Sequence, residues 1–385
     1  MPDKEDCMKR SSVAITACKT YDRQELYAAI GKAFEAAGLT DVSDKRILLK
    51  PNILSDAVPE KNITTHPEVL RAVIRYLVSK GAASILVGDS PGIQGSFFVP
   101  KNSKIAEVCE QEHVPWIDFA KDPVFTVIPF TFGRRLPLPK ILDSVDLIIS
   151  VAKMKTHQLM YMTGSVKNLF GMVPGLHKSP CHMMYPTREA FARLIAGLYV
   201  AVKPSFAILD AVVSMEGAGP ASGLPHHTGL IMASSDCTAL DVAQSIVMGY
   251  DPMTIPITKE LHERRLTAWR KPTDIEYPLL HANDLIIEDY QRIKIQRKTR
   301  MLSALIGPVF TKFIKLRHQR KEPKPIFDRT LCIGCNRCVK ICPGKALVLD
   351  EQHKIVVDYR SCIRCYCCHE VCPAHAITIE QKESE

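Results

Sequence analysis

Eight cysteines near the end of the chain stand at spacings that suit thiolate chemistry. Cys332, Cys335, Cys338 and Cys342 lead into Pro343, and Cys362, Cys365, Cys368 and Cys372 lead into Pro373. Each run reads C-x2-C-x2-C-x3-C-P. Three closely spaced thiolates can wrap one face of a [4Fe–4S] cube, and the fourth, carried off by the following helix, reaches the other cube. The spacing therefore assigns Cys332, Cys335, Cys338 and Cys372 to one cluster, and Cys362, Cys365, Cys368 and Cys342 to a second. Zinc sites use pairs of ligands rather than quartets ending in proline. Disulfides need an oxidising compartment, to which nothing in the chain points. Cys367 is surplus; because Cys368 keeps the register, Cys367 reads as a bystander.

The repeat runs past the cysteines. Asp328 matches Asp358, Ala346 matches Ala376, and short β-like runs lie at 346–349, 355–357 and 376–379. Over roughly the last 60 residues the chain resembles the bacterial-type two-[4Fe–4S] ferredoxins. The resemblance implies a small α+β ferredoxin-like domain over 325–385 and two [4Fe–4S] clusters as cofactors.

The 385 residues suffice for two or three domains, and the hydrophobic fraction of 46% is ordinary for a globular protein. There is no long apolar window of the kind that spans a bilayer, and Met1 to Thr20 lacks a signal-type apolar core. With 14 cysteines, eight of them in cluster motifs, the expectation is a reducing cytoplasm. Cys7, Cys18, Cys109, Cys181 and Cys237 show no ligand spacing. The net charge of +9 is concentrated: residues 290–324 hold 11 Lys and Arg against one Glu. This basic, amphipathic connector suits an anionic membrane surface, an acidic redox partner, or a helix packed between domains. Its apolar part, Met301 to Ile314, is too short to cross a membrane. Nucleic acid is not expected, since no fold for binding it is recognisable.

The stretch before the connector, 1–289, alternates strands and helices, as in a layered α/β domain with a mainly parallel sheet. Ligands in such sheets sit beyond the carboxyl ends of the strands. Those exits carry Lys50-Pro51-Asn52, Gly88-Asp89-Ser90-Pro91-Gly92, Lys153-Met154-Lys155-Thr156-His157 after the strand 145–152, and Asp210 with Glu216 to Pro220. Gly164 to Gly171 opens a short helix whose amides could hold an anion.

Lys50-Pro51-Asn52, Thr65-His66-Pro67, Gly88 to Gly92, Lys153-x-Lys155-Thr156-His157, Val166-Lys167-Asn168-Leu169-x-Gly171 and Met215-Glu216-Gly217-x-Gly219-Pro220 occur in that order. Together they resemble the domain of unknown function 362 family over about residues 12–250, whose members often carry a ferredoxin-like tail. The resemblance implies an α/β redox or ligand-binding module and carries no settled reaction.

Lys153, Lys155 and His157 alternate along an extended run, so all three could face one way. Two ammonium groups and an imidazole favour an anionic small molecule, although a solvated basic strand end has the same letters. The catalytic candidates are His157, Lys155 and Asp89, with Asp89 or Asp210 as the carboxylate for His157. The ligand-binding candidates are Lys50, Asn52, Ser90, Lys153, Lys167, Asn168 and Glu216. Gly88 to Gly92 equally suits a type I or II turn. The glycines after Glu216 do not form the dinucleotide fingerprint, so neither NAD nor FAD is expected, and an additional organic cofactor stays unknown. His177, His182, His226 and His227 lack ligand spacing.

Two classes of function suit these features. One is an oxidoreductase that passes single electrons from a partner protein through the clusters to an anionic substrate at the strand ends. The other is a non-catalytic carrier or adaptor whose α/β domain binds a partner protein or regulatory ligand. In a weaker variant the clusters sense redox state.

Overall fold

The first helix begins where the sequence caps it. Asp22 accepts hydrogen bonds from the amides of Gln24 and Glu25, a cap worth ~1 kcal/mol. The computed structural model describes residues 11–39, 41–92, 98–295 and 322–380. In order, the first part contains β1 (Ala14–Ala17), α1 (Arg23–Ala36), β2 (Arg46–Pro51), α2 (Pro67–Ser79), β3 (Ser84–Asp89), α3 (Ile105–Gln111) and β4 (Trp116–Asp118). Then come β5 (Pro123–Val127), β6 (Arg135–Pro139), β7 (Leu147–His157), β8 (Tyr161–Thr163), α4 (Ser165–Asn168), α5 (Lys178–Met184) and α6 (Arg188–Val202). β9 (Phe206–Glu216), β10 (Leu224–Ser234), α7 (Cys237–Val247) and α8 (Pro256–Glu263) complete the α/β domain.

The main sheet has the order β1-β10-β9-β7-β2-β3-β4. The pairs β9–β7, β7–β2, β2–β3 and β3–β4 are parallel, while β1–β10 and β10–β9 are antiparallel. Side chains alternate across it: Ile47 and Leu49 of β2 join the core under α1 and α2, and Leu48 joins the core on the other face. Phe34 of α1 meets Tyr76 and Phe206 edge-on at 5.0 and 5.2 Å; burying one such ring contributes about 1.5–3 kcal/mol.

β7 differs from the expected strand, which ended at Ala152. It runs on through His157, because β8 folds back on it and pairs Lys155 with Thr163. The backbone of Lys153 to His157 is thereby satisfied beyond the edge where a parallel strand would stop.

The cysteine region contains β11 (Pro325–Phe327) paired with β14 (Ile377–Ile379), and β12 (Leu347–Leu349) paired with β13 (Ile355–Val357). Short helices follow the ligand loops at Arg337–Ile341 and Cys367–Glu370. The sequence repeat is a structural one. The amide of Asp328 donates to Ala376 O and that of Asp358 to Ala346 O, both at 2.8 Å. Asn336 and Tyr366, at matching positions, both take a left-handed φ, +62° and +64°.

This domain is docked on the α/β domain. Tyr366, 2% exposed, joins the larger domain's core, and Arg188 pairs with Glu322 at 2.8 Å. The connector does not begin at residue 290 as a separate segment. Tyr290 is buried, its hydroxyl donates to Met215 O, and the amide of Ile293 donates to Tyr250 Oη at 2.8 Å. Most of the expected basic connector, including Met301 to Ile314, lies outside the described residues.

His66 makes one part of the fold sensitive to pH. Its ring stacks on Tyr21 at 3.6 Å, and its Nδ1 accepts from the amide of Glu68 at the start of α2. Burial, with Lys153 adding to it against the pull of Asp210, lowers its pKa to about 4. The folded protein thus holds this imidazole neutral, whereas the unfolded chain protonates it near 6.5. Stability falls as pH drops below about 6.5 and the contribution is gone below about 4. Between pH 7 and 5 the wild type should lose about 2 kcal/mol more than His66→Asn, which keeps a capping side chain. Urea unfolding of both proteins followed by tryptophan fluorescence checks this; parallel pH slopes would count against it.

Candidate functional site

β2 and β3 end side by side, and the residues at their exits meet. Lys50 and Asp89, both buried, form an ion pair at 2.9 Å. Lys50 Nζ also donates to Pro51 O and Asn168 Oδ1, and burial lowers its pKa against the opposing pull of Asp89. Asn168 donates to Lys50 O and Ser150 Oγ, and Asn52 donates to Asn168 Oδ1. Asp89 Oδ2 accepts from the amide of Ile53, and Ser90 Oγ accepts from that of Gly175. Gly171 closes over the pair. A Cβ there would lie 2.3 Å from Asp89 Oδ1 and 2.4 Å from Lys50 Nζ, so only glycine leaves room.

These residues form one wall of a cavity of about 630 Å³, within the range of small-molecule sites. The opposite wall is the cysteine domain: Arg337, Ile341, Cys367, Glu370, Val371, Cys372 and His375 line it. Ser179 Oγ donates to Ile341 O at 2.7 Å, and His375 Nδ1 is hydrogen-bonded to Ser222 Oγ at 2.9 Å. The site is therefore built between two domains that lie far apart in sequence.

Of the expected residues, Lys50, Asn52, Asp89, Ser90, His157, Lys167 and Asn168 line the cavity; Lys153, Lys155 and Glu216 do not. Lys153, expected to bind ligand, is wholly buried against Asp210 at 2.9 Å and donates to Tyr21 Oη. It pairs across β7 and β9, where Lys153 and Asp210 are in register. Lys155, expected to be catalytic, donates to Asn52 Oδ1 and Ile63 O, and burial, reinforced by Lys167 and Lys153, holds its pKa well below the usual lysine range. Glu216 holds the amide of Gln291 and faces His226 Nδ1 at 3.1 Å. The helix opening at Gly164 is also closed to ligands. The amides of Ser165 and Val166 donate to Asp241, whose carboxylate is the anion held there.

His157 finds its carboxylate elsewhere than expected: neither Asp89 nor Asp210 but Glu370 of the cysteine domain, 3.3 Å from Nε2. Nδ1 accepts from the amides of Leu159 and Met160, so the proton sits on Nε2, toward Glu370. Burial, with Lys167 next, lowers the pKa of His157 well below 6.5. This catalytic candidate is thus a neutral imidazole whose Nε2 faces Glu370. Glu370 went unread because it lies among the cysteines. The repeat carried a signal, since its counterpart is Lys340. Lys178 and His182 of α5 also line the cavity and were not expected to. Cys367, read as a bystander, lies in its wall.

Cys332, Cys335, Cys338 and Cys372 line one small cavity, and Cys335, Cys372 and Cys332 are the charges that act on Cys338. Cys342 lies within electrostatic reach of Cys365, Cys362 of Cys365 and Cys342, and Cys368 of all three and also of Cys338. None is in a disulfide. Among the described residues no group of His, Cys, Asp or Glu is set for a single metal ion. A shell about 2.3 Å around one zinc is tighter than four thiolates on the corners of a cube. The residues present fit two cubes.

A family model described as a domain of unknown function, DUF362, matches residues 47–245, just over half of the chain. The chain belongs to the DUF362 family. A second model, a 4Fe-4S dicluster domain, matches residues 324–373, so this DUF362 member is an iron–sulfur electron-transfer protein. It is similar to the thylakoid-associated protein sll1697 of Synechocystis sp., with 30% identity over 284 residues that cover 73% of this chain and 87% of that one. Two solved structures show a looser likeness. A Thermotoga maritima protein has TM-score 0.37 and 13% identity, with 55% of each chain covered. The lactate racemase apoprotein of Thermoanaerobacterium thermosaccharolyticum has TM-score 0.43 and 11% identity, with 64% of this chain and 59% of that one covered. The chain thus spans less than two thirds of either structure. Among the described residues no helix is long and apolar enough to cross a membrane.

Proposed function

We propose that this DUF362 protein is a ferredoxin-linked oxidoreductase that reduces or oxidises an anionic substrate or cofactor in the cavity between its two domains. The observation that carries the reading is Cys372, which lines both the small cysteine cavity and the large one. A thiolate expected to hold a cluster is thereby part of the wall of the ligand space. Bound clusters supply electrons singly, and two cubes in series suit a partner protein that also carries one electron at a time.

The chain's own residues would bind and orient. Lys50, Asp89, Asn52 and Asn168 spend their hydrogen bonds on one another and hold the floor rigid. Lys167, whose main charged neighbour is Glu370, faces the ligand. His157 Nε2 faces Glu370 at the domain boundary. The domain contacts through Tyr366 and Ser179 hold the cysteine domain against the ligand space. We place this activity on the cytoplasmic side of a membrane or free in the cytoplasm. The name of the Synechocystis relative supports a peripheral membrane contact through the basic stretch 290–324.

Native mass spectrometry of protein purified without oxygen tests the reading. The expected mass is that of the chain, two [4Fe–4S] clusters and a small molecule that is lost in Lys167→Met while the clusters stay. Two clusters with no further mass, together with cluster EPR signals that no added anion perturbs, would favour the carrier or adaptor reading instead.

A further inference from the structure

The cavity contains groups that the polar floor leaves over. Lys50 is saturated by Asp89, Pro51 O and Asn168. Among the described residues Lys167 has no hydrogen-bond acceptor, although Glu370 is its main charged neighbour, and Lys178 donates only to the carbonyl of Ser90. Both lie within electrostatic reach of Lys50, so the two flank the same strand exits. His182 is 6% exposed, and its Nδ1 is buried with no partner. Its ring is held by stacking on Phe191 at 4.6 Å and by the edge of Phe170. A buried polar atom without a partner is uncommon in a folded protein and calls for one. The lining as a whole carries two more basic side chains than carboxylates. Desolvation lowers Lys178 to about 7 and His182 to about 3. The first would regain its proton beside an anion, and the second would serve as a neutral hydrogen-bonding group.

We infer that Lys167, Lys178 and His182 form a receptor for a dianionic group, either a phosphate monoester or a dicarboxylate, on the molecule that the cavity binds. Glu370 and Asp89 are the carboxylates nearest in charge to Lys167 and Lys178, and the excess of two basic side chains over the whole lining is balanced by a dianion but only half balanced by a single carboxylate. The inference rests on reading the cavity as a ligand site and adds the class of ligand.

Isothermal titration calorimetry on the full chain, anaerobic and with its clusters in place, tests it with inorganic phosphate, succinate and acetate as probes. Phosphate or succinate should bind at least about tenfold more tightly than acetate. Lys178→Met should weaken the dianion about tenfold or more, and Lys178→Arg should weaken it by about threefold or less. His182→Phe keeps the ring stack and removes the nitrogen; a loss of about fivefold is expected. Iron content and melting temperature, unchanged in each variant, show that folding is intact. A response to phosphate alone points to a phosphate ester, and a response to succinate alone to a dicarboxylate. Acetate binding as tightly as the dianions overturns the inference, as does a dianion affinity that ignores Lys178→Met. If none of the three binds, the dianion receptor is wrong, but a co-purified neutral or monoanionic ligand would still uphold the cavity as the reaction site.

Discussion

Replacing Cys342 with alanine should remove the cluster of the second cysteine run and spare that of the first. The short helix Arg337–Ile341 carries Cys342 away from its own run and toward Cys362, Cys365 and Cys368. The return path is Cys372, which lines the cavity of Cys332, Cys335 and Cys338. Iron should fall from about eight to about four atoms per chain in Cys342→Ala. Double variants decide the pairing. Cys342→Ala with Cys362→Ala touches one cluster and should keep about four iron atoms, whereas Cys342→Ala with Cys332→Ala touches both and should keep nearly none. The reverse outcome in iron analysis and EPR would mean that each run holds its own cube. Loss of the cluster at Cys372 should also disturb the ligand cavity, because that cysteine is in its wall.

Lys153→Met should destabilise the α/β domain by about 3–5 kcal/mol and leave anion binding in the cavity intact. The ammonium of Lys153 and the carboxylate of Asp210 are both fully buried, 2.9 Å apart. Asp210 also accepts from Tyr21 Oη and the amide of His66. Removing the lysine strands a carboxylate with only neutral donors, the amide of Val212 being a third, in a desolvated core, whereas removing both charges is far less costly. Lys153→Met with Asp210→Asn should therefore recover part of the loss. The two tryptophans, Trp116 and Trp269, lie in this domain, so their fluorescence in a denaturant titration reports it. An unchanged midpoint in Lys153→Met would show that the pair contributes little. Weakened anion binding at full stability would return Lys153 to the ligand site.

Local rules accounted for much of this molecule. Asp22, Pro67, Gly38 and Gly81 mark helix ends because capping and left-handed φ are decided within a few residues. The motif Val166-Lys167-Asn168-Leu169-x-Gly171 was legible as a site, and Gly171 has a local reason in the pair it covers. The reading of Lys153, Lys155 and His157 as one face did not survive. β8 extends the strand, and a register shift against β9 lies between Lys153 and Lys155. Each side chain was then assigned by what packs opposite it. Asp210 took Lys153 and Asn52 took Lys155, and neither contact leaves a trace in spacing.

By itself, the sequence determined the two cysteine quartets, their repeat, the α/β class and the polar strand exits on β2 and β3. These follow from short-range constraints: ligand spacing, capping, alternation and composition. Only the tertiary structure decided that the ferredoxin-like domain closes over those exits. It made Glu370 the partner of His157 across 213 positions in the chain and brought Lys178 and His182 into one cavity with Cys372. The physical reason is that docking of two domains depends on buried apolar contacts such as Tyr366 and on pairs such as Arg188–Glu322. Those contacts join distant segments, and no periodicity within either segment encodes them.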